Sequence, residues 1–311
     1  MDPYTSWLKQ SNQPLFEAVG TYWRVYQKTL VPASLKPEPV ELSKEQAQEL
    51  LEKSGALFVR YFTRTSEMPT AFWYTACSEY KNDKLPGKVR SQIRRAYKDC
   101  RVERVDAAWL SDNGYACYKA AYSRYTNAEP GSKEAFDQMC RGSAGGPFDF
   151  WGVFVGDKLV GFAKCVVGDD YAASVVIKMD PQFLSLSPAS GLQDAMLTCY
   201  VAGQNKIMLN GFRSLVHDTN MHDFLLKFGY RRVYCDLKVV YRPSLQALVN
   251  LLYPFRSVVS RTPESGLTGK LRVLLAQEEI QRSFEPDGKA HDSIKSIESC
   301  AALHNHHGTL K

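Results

Sequence analysis

The sequence predicts an α/β (α+β) protein in which short strands alternate with helices. Three stretches carry that expectation. "FDFWGVFVGDKLVGFAKCVV" (148–167) is two β runs joined at Gly156-Asp157-Lys158, a tight hairpin signal. Between the strand candidates "YAASVVIKM" and "KIMLNG", apolar Leu192, Ala195, Met196, Cys199 and Tyr200 recur at i, i+3, i+4, i+7 and i+8, which is one helical face. "RRVYCDLKVVYRP" (231–243) then reads as a long strand, rich in β-branched and aromatic residues.

The elements follow in chain order. Residues 1–42 hold one amphipathic stretch, "PLFEAVGTYWRVYQKTL", and then Pro32, Pro37 and Pro39, which break any helix. We read them as an N-terminal arm and linker. "SKEQAQELLEKSG" is a short helix capped by Ser43 and closed by Gly55. "ALFVRYFT" and "TAFWYTACSEY" are strand candidates. "PGKVRSQIRRAYKDC" puts Val89, Ile93, Ala96 and Tyr97 on one helical face and its basic residues on the others. "RVERVD" alternates like an edge strand. "LSDNGYACYKAAYSRYT" and "SKEAFDQMCRG" are further helices. After 244, "SLQALVNLLYPFRSVV" and "KLRVLLAQEEIQRSF" read as two helices, and the polar residues after Pro286 read as a disordered tail. The expected divisions are 1–42, 43–147, 148–285 and 286–311.

Composition narrows the function. With 311 residues and 44% hydrophobic content, the chain can bury a sizeable core. A net charge of +6 suits an anionic ligand such as a nucleotide, phosphate or acidic sugar, and no long Lys/Arg run calls for DNA. Eight cysteines are scattered singly with no CxxC, which points to a reducing compartment. The N-terminus shows no signal-peptide pattern, and the longest apolar stretch falls short of the ~20 residues of a membrane span. A cytoplasmic protein is expected. No GxSxG, HExxH or GxxxxGK[ST] pattern occurs, which removes the commonest serine hydrolase, zincin and P-loop readings.

The stretch "HDTNMHDFLLKFGYRRVY" (217–234) is the densest in chemistry-bearing residues. A zinc site on a helix wants His at i and i+4. His217 and His222 are five apart, and only Asp218 shares a face with His222, one ligand too few. We therefore expect no metal. Asp218 or Thr219 reads as a helix cap, with acidic residues opposing the dipole. His217 would sit at the C-terminal end of a strand, where open α/β sheets place ligands, and a neutral imidazole suits deprotonating an attacking amine or hydroxyl. Asn220 either holds an acyl carbonyl or caps the helix. Arg213 either grips a phosphate or carboxylate or lies on the surface. Arg90, Arg94 and Lys98 fall on one i, i+4, i+8 line, flanked by Lys88 and Arg95. That line is either a solvated face or a clamp for a nucleotide-linked acceptor or a tRNA acceptor stem. Trp73, Tyr74, Tyr118, Tyr122 and Trp151 either line a pocket or pack the core.

The order hairpin, strand, loop, helix, strand, helix, "FGY", strand over 148–242 resembles the GCN5-related N-acetyltransferase (GNAT) fold, a mixed central sheet flanked by helices. The basic helix "KVRSQIRRAYKDCRVERV" is similar to one in the FemAB-like branch, as are "KFGYRRVYCDLKVVYRP" and "LLYPFR" in bacterial members of it. The resemblance implies a second, degenerate GNAT-like half within 43–147. It implies transfer of an acetyl or aminoacyl group from acyl-coenzyme A or aminoacyl-tRNA to an amine or hydroxyl of an anionic acceptor, such as a nucleotide-sugar or cell-envelope precursor. It assigns "MDPQFLSLSPASGLQDAML" to the donor, with Ser187, Ser190, Gly191, Leu192 and Asn220 as contacts. His217 and Asn220 become the catalytic pair, and Arg90, Arg94, Lys98 and Arg213 the acceptor contacts. The family loop is Gln/Arg-x-x-Gly-x-Gly/Ala, and "LSPASGL" has only one of its glycines, Gly191, and no Arg or Gln at its start. Lys227 or Phe228 stands near the place of the family's frequent Tyr. A non-catalytic module with this fold and an RNA-binding protein are the alternatives.

Overall fold

The computed structural model describes residues 1–124, 129–215, 220–261 and 266–284. Helix α1 (Pro3–Gln10) is capped by Asp2, whose carboxylate accepts from the Tyr4 and Thr5 amides. Strands β1 (Leu15–Ala18), β2 (Thr21–Tyr26) and β3 (Thr29–Pro32) follow. This segment reads in sequence as one amphipathic stretch, but two-residue turns at Val19-Gly20 and Gln27-Lys28, all four at positive φ, fold it into an antiparallel meander. Such turns match the strand twist. Helix α2 (Lys44–Ser54) opens on a full capping box between Ser43 and Gln46 and closes at Gly55 in the left-handed region.

Strands β4 (Phe58–Tyr61), β5 (Thr65–Ser66) and β6 (Phe72–Cys77) lead to α3 (Gly87–Asp99) and β7 (Arg101–Val105). The aromatic stretch read as one helix is two, α4 (Ala107–Asn113) and α5 (Tyr115–Ala121), which meet at Gly114. Helix α6 (Lys133–Arg141) starts on Ser132, whose hydroxyl accepts from the Ala135 amide. The hairpin β8 (Phe148–Val155) and β9 (Lys158–Val167) precedes β10 (Tyr171–Met179), α7 (Pro188–Leu197) and β11 (Ile207–Phe212). Helix α8 (Met221–Leu226), β12 (Arg231–Cys235), β13 (Lys238–Tyr241), α9 (Pro243–Leu252), α10 (Arg256–Val259) and α11 (Gly266–Arg282) complete the described chain. The tail 286–311 lies outside the described residues.

The strands form two mixed sheets. The smaller has the order β1-β2-β3-β4-β13, and the larger β5-β12-β6-β11-β10-β9-β8-β7. Strand β6 lies between β11 and β12, antiparallel to both, so a strand from the 43–147 segment sits inside the sheet built by 148–235. The stretch 231–241, read as one long strand, divides between the sheets. Asp236 marks the crossing: its carboxylate accepts from the Thr63 amide at 2.8 Å, the Thr63 hydroxyl at 2.6 Å and the Arg64 amide at 3.2 Å. The Asp236 amide also donates to the Arg64 carbonyl at 3.2 Å, so this residue ties the crossing to the Thr63–Arg64 segment.

One face of the large sheet is covered by α3, α7 and α8, which bury Val89, Ile93, Leu192, Met196, Leu225 and Phe228 against Trp151, Val153, Ala163 and Met208. The other face packs Phe150, Phe154 and Phe162 against α4, α5 and α6. The seven cysteines described are all free thiols, and six of them are buried.

Candidate active site

The sheet opens at one place. Parallel strands β10 and β11 pair only through Tyr171–Ile207, Ala172–Met208 and Ala173–Leu209, although both run on. Beyond that point each stays bonded to its other neighbour, β9 or β6, and each bulges: β10 between Ser174 and Val176, β11 between Leu209 and Phe212. Gly211 takes φ +63 in the second bulge. Bulges on both walls turn the strands apart and leave a mouth at their C-terminal ends, the place where open α/β sheets hold ligands.

Polar side chains converge on the mouth. Ser174 donates its hydroxyl to Asn210 Oδ1 at 2.8 Å, bridging the two strands as they part. On β6, one strand further, the buried Thr75 Oγ1 lies 3.2 Å from Nδ1 of His222 on α8. The imidazole stands edge-on to Trp73 at 4.6 Å. Arg232 stacks over the same indole at 4.5 Å and pairs with Asp223 at 3.1 Å. Burial, and after it the Arg232 cation, hold the His222 imidazole below its ordinary value, with Asp223 opposing. The side chains here offer hydroxyl and amide groups and one imidazole whose proton affinity is lowered.

The residues singled out in the sequence fall in different places. His217 lies outside the described residues, as do Asp218 and Thr219. Asn220 is exposed at the N-cap position of α8, but its side chain makes no capping bond. Arg213 ends β11 half-buried: its amide donates to the Trp73 carbonyl at 2.8 Å and its guanidinium to the Ala71 carbonyl at 3.0 Å. Arg90, Arg94 and Lys98 are exposed along α3, with Lys88 and Arg95 beside them. Arg95 reaches the Ser185 carbonyl at 3.3 Å, which places this cationic face against the turn before α7. Trp151 is buried and donates to the Tyr200 hydroxyl at 2.9 Å.

The turn into α7 differs from what the resemblance implies. Ser187 takes φ +61, and its carbonyl accepts from the Ser190 amide at 2.9 Å and the Gly191 amide at 3.4 Å. Pro188 has no amide hydrogen to offer. Gly191 faces α3: a Cβ there would stand 2.9 Å from Ala96 Cβ. Leu192 is core. Thus the glycine serves close helix packing, and the first turn of α7 is short of the outward amides that an anion would use.

Sequence reasoning passed over Asn210, Ser174 and Thr75. Nothing in the local sequence marks a strand Ser, Thr or Asn as facing a gap.

No protein-family model and no curated protein matches the chain. Solved structures that share its fold include the following two. The C-terminal domain (DUF2156) of an Agrobacterium fabrum protein named as a lysylphosphatidylglycerol synthetase aligns at TM-score 0.52 and 9% identity, over 81% of this chain and 91% of that one. FemX aligns at TM-score 0.50 and 9% identity, over 79% of this chain and 92% of that one. With the β10–β11 opening, the α7 crossover and the α3 buttress, the chain has a GNAT-like mixed central sheet flanked by helices, a fold it shares with FemX.

Proposed function

We propose that the protein is an acyltransferase. The observation that carries this reading is the parting of β10 and β11 after Ala173 and Leu209, with Ser174, Asn210, Thr75 and His222 gathered at the mouth. A planar acyl ester or thioester held there is open to attack by an amine or hydroxyl entering at the strand ends. Holding two substrates in line supplies much of the rate of such a transfer. His217, in the segment joining β11 to α8, is the general base of this proposal, and Asn220 a polar contact beside it.

For the donor we favour aminoacyl-tRNA over acetyl-coenzyme A. The Ser187 amide is bonded to the Leu184 carbonyl, Pro188 has no amide hydrogen and the Ser190 amide is bonded to Ser187, which argues against a pyrophosphate site at α7. The exposed line Arg90, Arg94 and Lys98 lies on the helix that touches the same turn, and suits the phosphates of an acceptor stem. The acceptor is an anionic small molecule, such as a nucleotide-sugar or envelope precursor.

Filter retention of bulk aminoacyl-tRNA by the full-length protein, followed by release of labelled amino acid onto a panel of such acceptors, tests the reading. Retention with transfer supports it. A thermal shift with millimolar acetyl-coenzyme A and no tRNA retention would move the donor to the thioester. Retention without transfer to any acceptor would favour a binding module that keeps the fold alone.

A further inference from the structure

Helices α9 and α10 carry a row of apolar side chains that the fold does not use. A single turn, Tyr253–Phe255, joins them. On the inner side Val249 is buried and Leu245 packs beside it, against Leu237, Val239 and Ile280. On the outer side Leu248, Leu251, Phe255 and Val258 are 45%, 67%, 58% and 62% exposed. Leu248 and Leu251, three residues apart, share the outer face of α9, and Phe255 and Val258 follow on the turn and on α10. Scattered exposed leucines need no explanation, but four large exposed side chains so close in the chain do.

The charges of this segment are one-sided. From Pro243 to Arg261 there is no Asp or Glu, although the chain has 33 in 311 residues. The ionised groups of the stretch are Arg256 and the exposed Arg261. Arg256 packs on Tyr253 at 4.4 Å and reaches Glu279 of α11 at 3.1 Å.

We propose that this face docks on an anionic lipid bilayer, with α9 and α10 lying in the headgroup plane. An apolar stripe on a helical segment with only cationic charge is the pattern of an interfacial element, and anionic headgroups would repel carboxylates placed there. A second copy of the chain fits less well. The Pro254 turn interrupts the helix, so its side chains cannot interdigitate continuously with a partner helix. Four side chains also cover less than the ~800 Å² per partner of a standard interface. Among the described residues no helix is long and apolar enough to cross a membrane, so the contact is one of lying on the surface. The inference is independent of the transfer reaction, whose mouth is built from other elements.

Co-sedimentation of the full-length protein with vesicles tests it, using phosphatidylcholine alone and phosphatidylcholine mixed with phosphatidylglycerol. Partitioning onto the mixed vesicles that weakens with added salt is expected. The double variant Leu251→Ser/Phe255→Ser should partition about tenfold less, with its thermal midpoint unchanged because both side chains are exposed. Arg261→Glu, also exposed, provides a second variant and should weaken binding to the mixed vesicles only. No partitioning, or equal partitioning by all three proteins, overturns the proposal. So does a dimer in sedimentation velocity that the double variant dissociates.

Discussion

The Thr75 hydroxyl oxygen lies 3.2 Å from Nδ1 of His222, tying β6 to α8 across 147 residues of chain. The contact fixes the ring against Trp73 at the edge of the mouth. Burial and Arg232 depress the imidazole's proton affinity in the folded state. In the unfolded chain it titrates near its ordinary ~6.5. Below that pH the unfolded state binds a proton that the folded state refuses, so stability is full above about pH 6.5 and falls on acidification toward the lower folded value. His222→Gln should flatten this dependence, and urea midpoints between about pH 5 and pH 7.5 measure it.

His217→Ala should lower the transfer rate by about 10²-fold or more and remove the alkaline-rising limb of its pH profile, since general-base assistance supplies that much. The unfolding free energy from urea titration serves as the control that the variant folds. Single-turnover rates against pH, with His222→Gln as the comparison, separate a base from a structural imidazole. Unchanged turnover would remove His217 from the mechanism.

Changing Arg90, Arg94 and Lys98 together to Ala should weaken tRNA retention. The slope of log K against log salt should shallow by up to about 3, roughly one for each phosphate left without its cation. All three are exposed, so the fold should tolerate the change. An unchanged slope would assign the line to a solvated face.

Gly191→Ala forces a Cβ within 2.9 Å of Ala96 Cβ and should destabilise by about 1–3 kcal/mol through overpacking of α7 on α3. Adding Ala96→Gly should restore part of the loss. A Gly191→Ala protein of unchanged stability with impaired donor binding would instead place the glycine in a donor cradle.

Lys164 is buried in β9 with no carboxylate partner among the described residues. Its ammonium donates to Ser143 Oγ at 2.5 Å and to the Met139 carbonyl at 3.2 Å, and lies 4.2 Å from the Phe148 ring centre. Burial lowers its pKa to about 8, with Cys140 opposing. The unfolded lysine keeps its proton to about 10.4. Between the two values the unfolded state binds more protons, so stability rises with pH from about 8 upward, by about 3 kcal/mol at most. The difference in unfolding free energy between wild type and Lys164→Met across that window isolates the effect, because the buried tyrosines contribute equally to both. A constant difference would mean that Lys164 is solvated.

Much of the element order was legible in the sequence. Hydrophobic period, caps and turn residues act over a few positions, so α2, α3, α6, the β8–β9 hairpin and α7 follow from their own residues. The meander at 15–32 was not, because its turns use Val19, Gln27 and Lys28 at positive φ rather than the Gly and Asn that usually signal them. The basic line on α3 was visible because helical spacing is local. The mouth was not visible, because Ser174, Asn210 and Thr75 are ordinary strand residues until their strands part.

The sequence by itself determined most of the helices and the β8–β9 hairpin, and that the cysteines are scattered singly and the charge is mildly positive. The tertiary structure alone decided that β6 enters the sheet between β11 and β12, that Asp236 splits one long strand between two sheets, and that β10 and β11 separate after three pairs. The physical reason is range. Periodicity and capping are set by neighbours in the chain, whereas strand order, bulge position and the burial that tunes His222 depend on hydrogen bonds and packing between residues far apart in it.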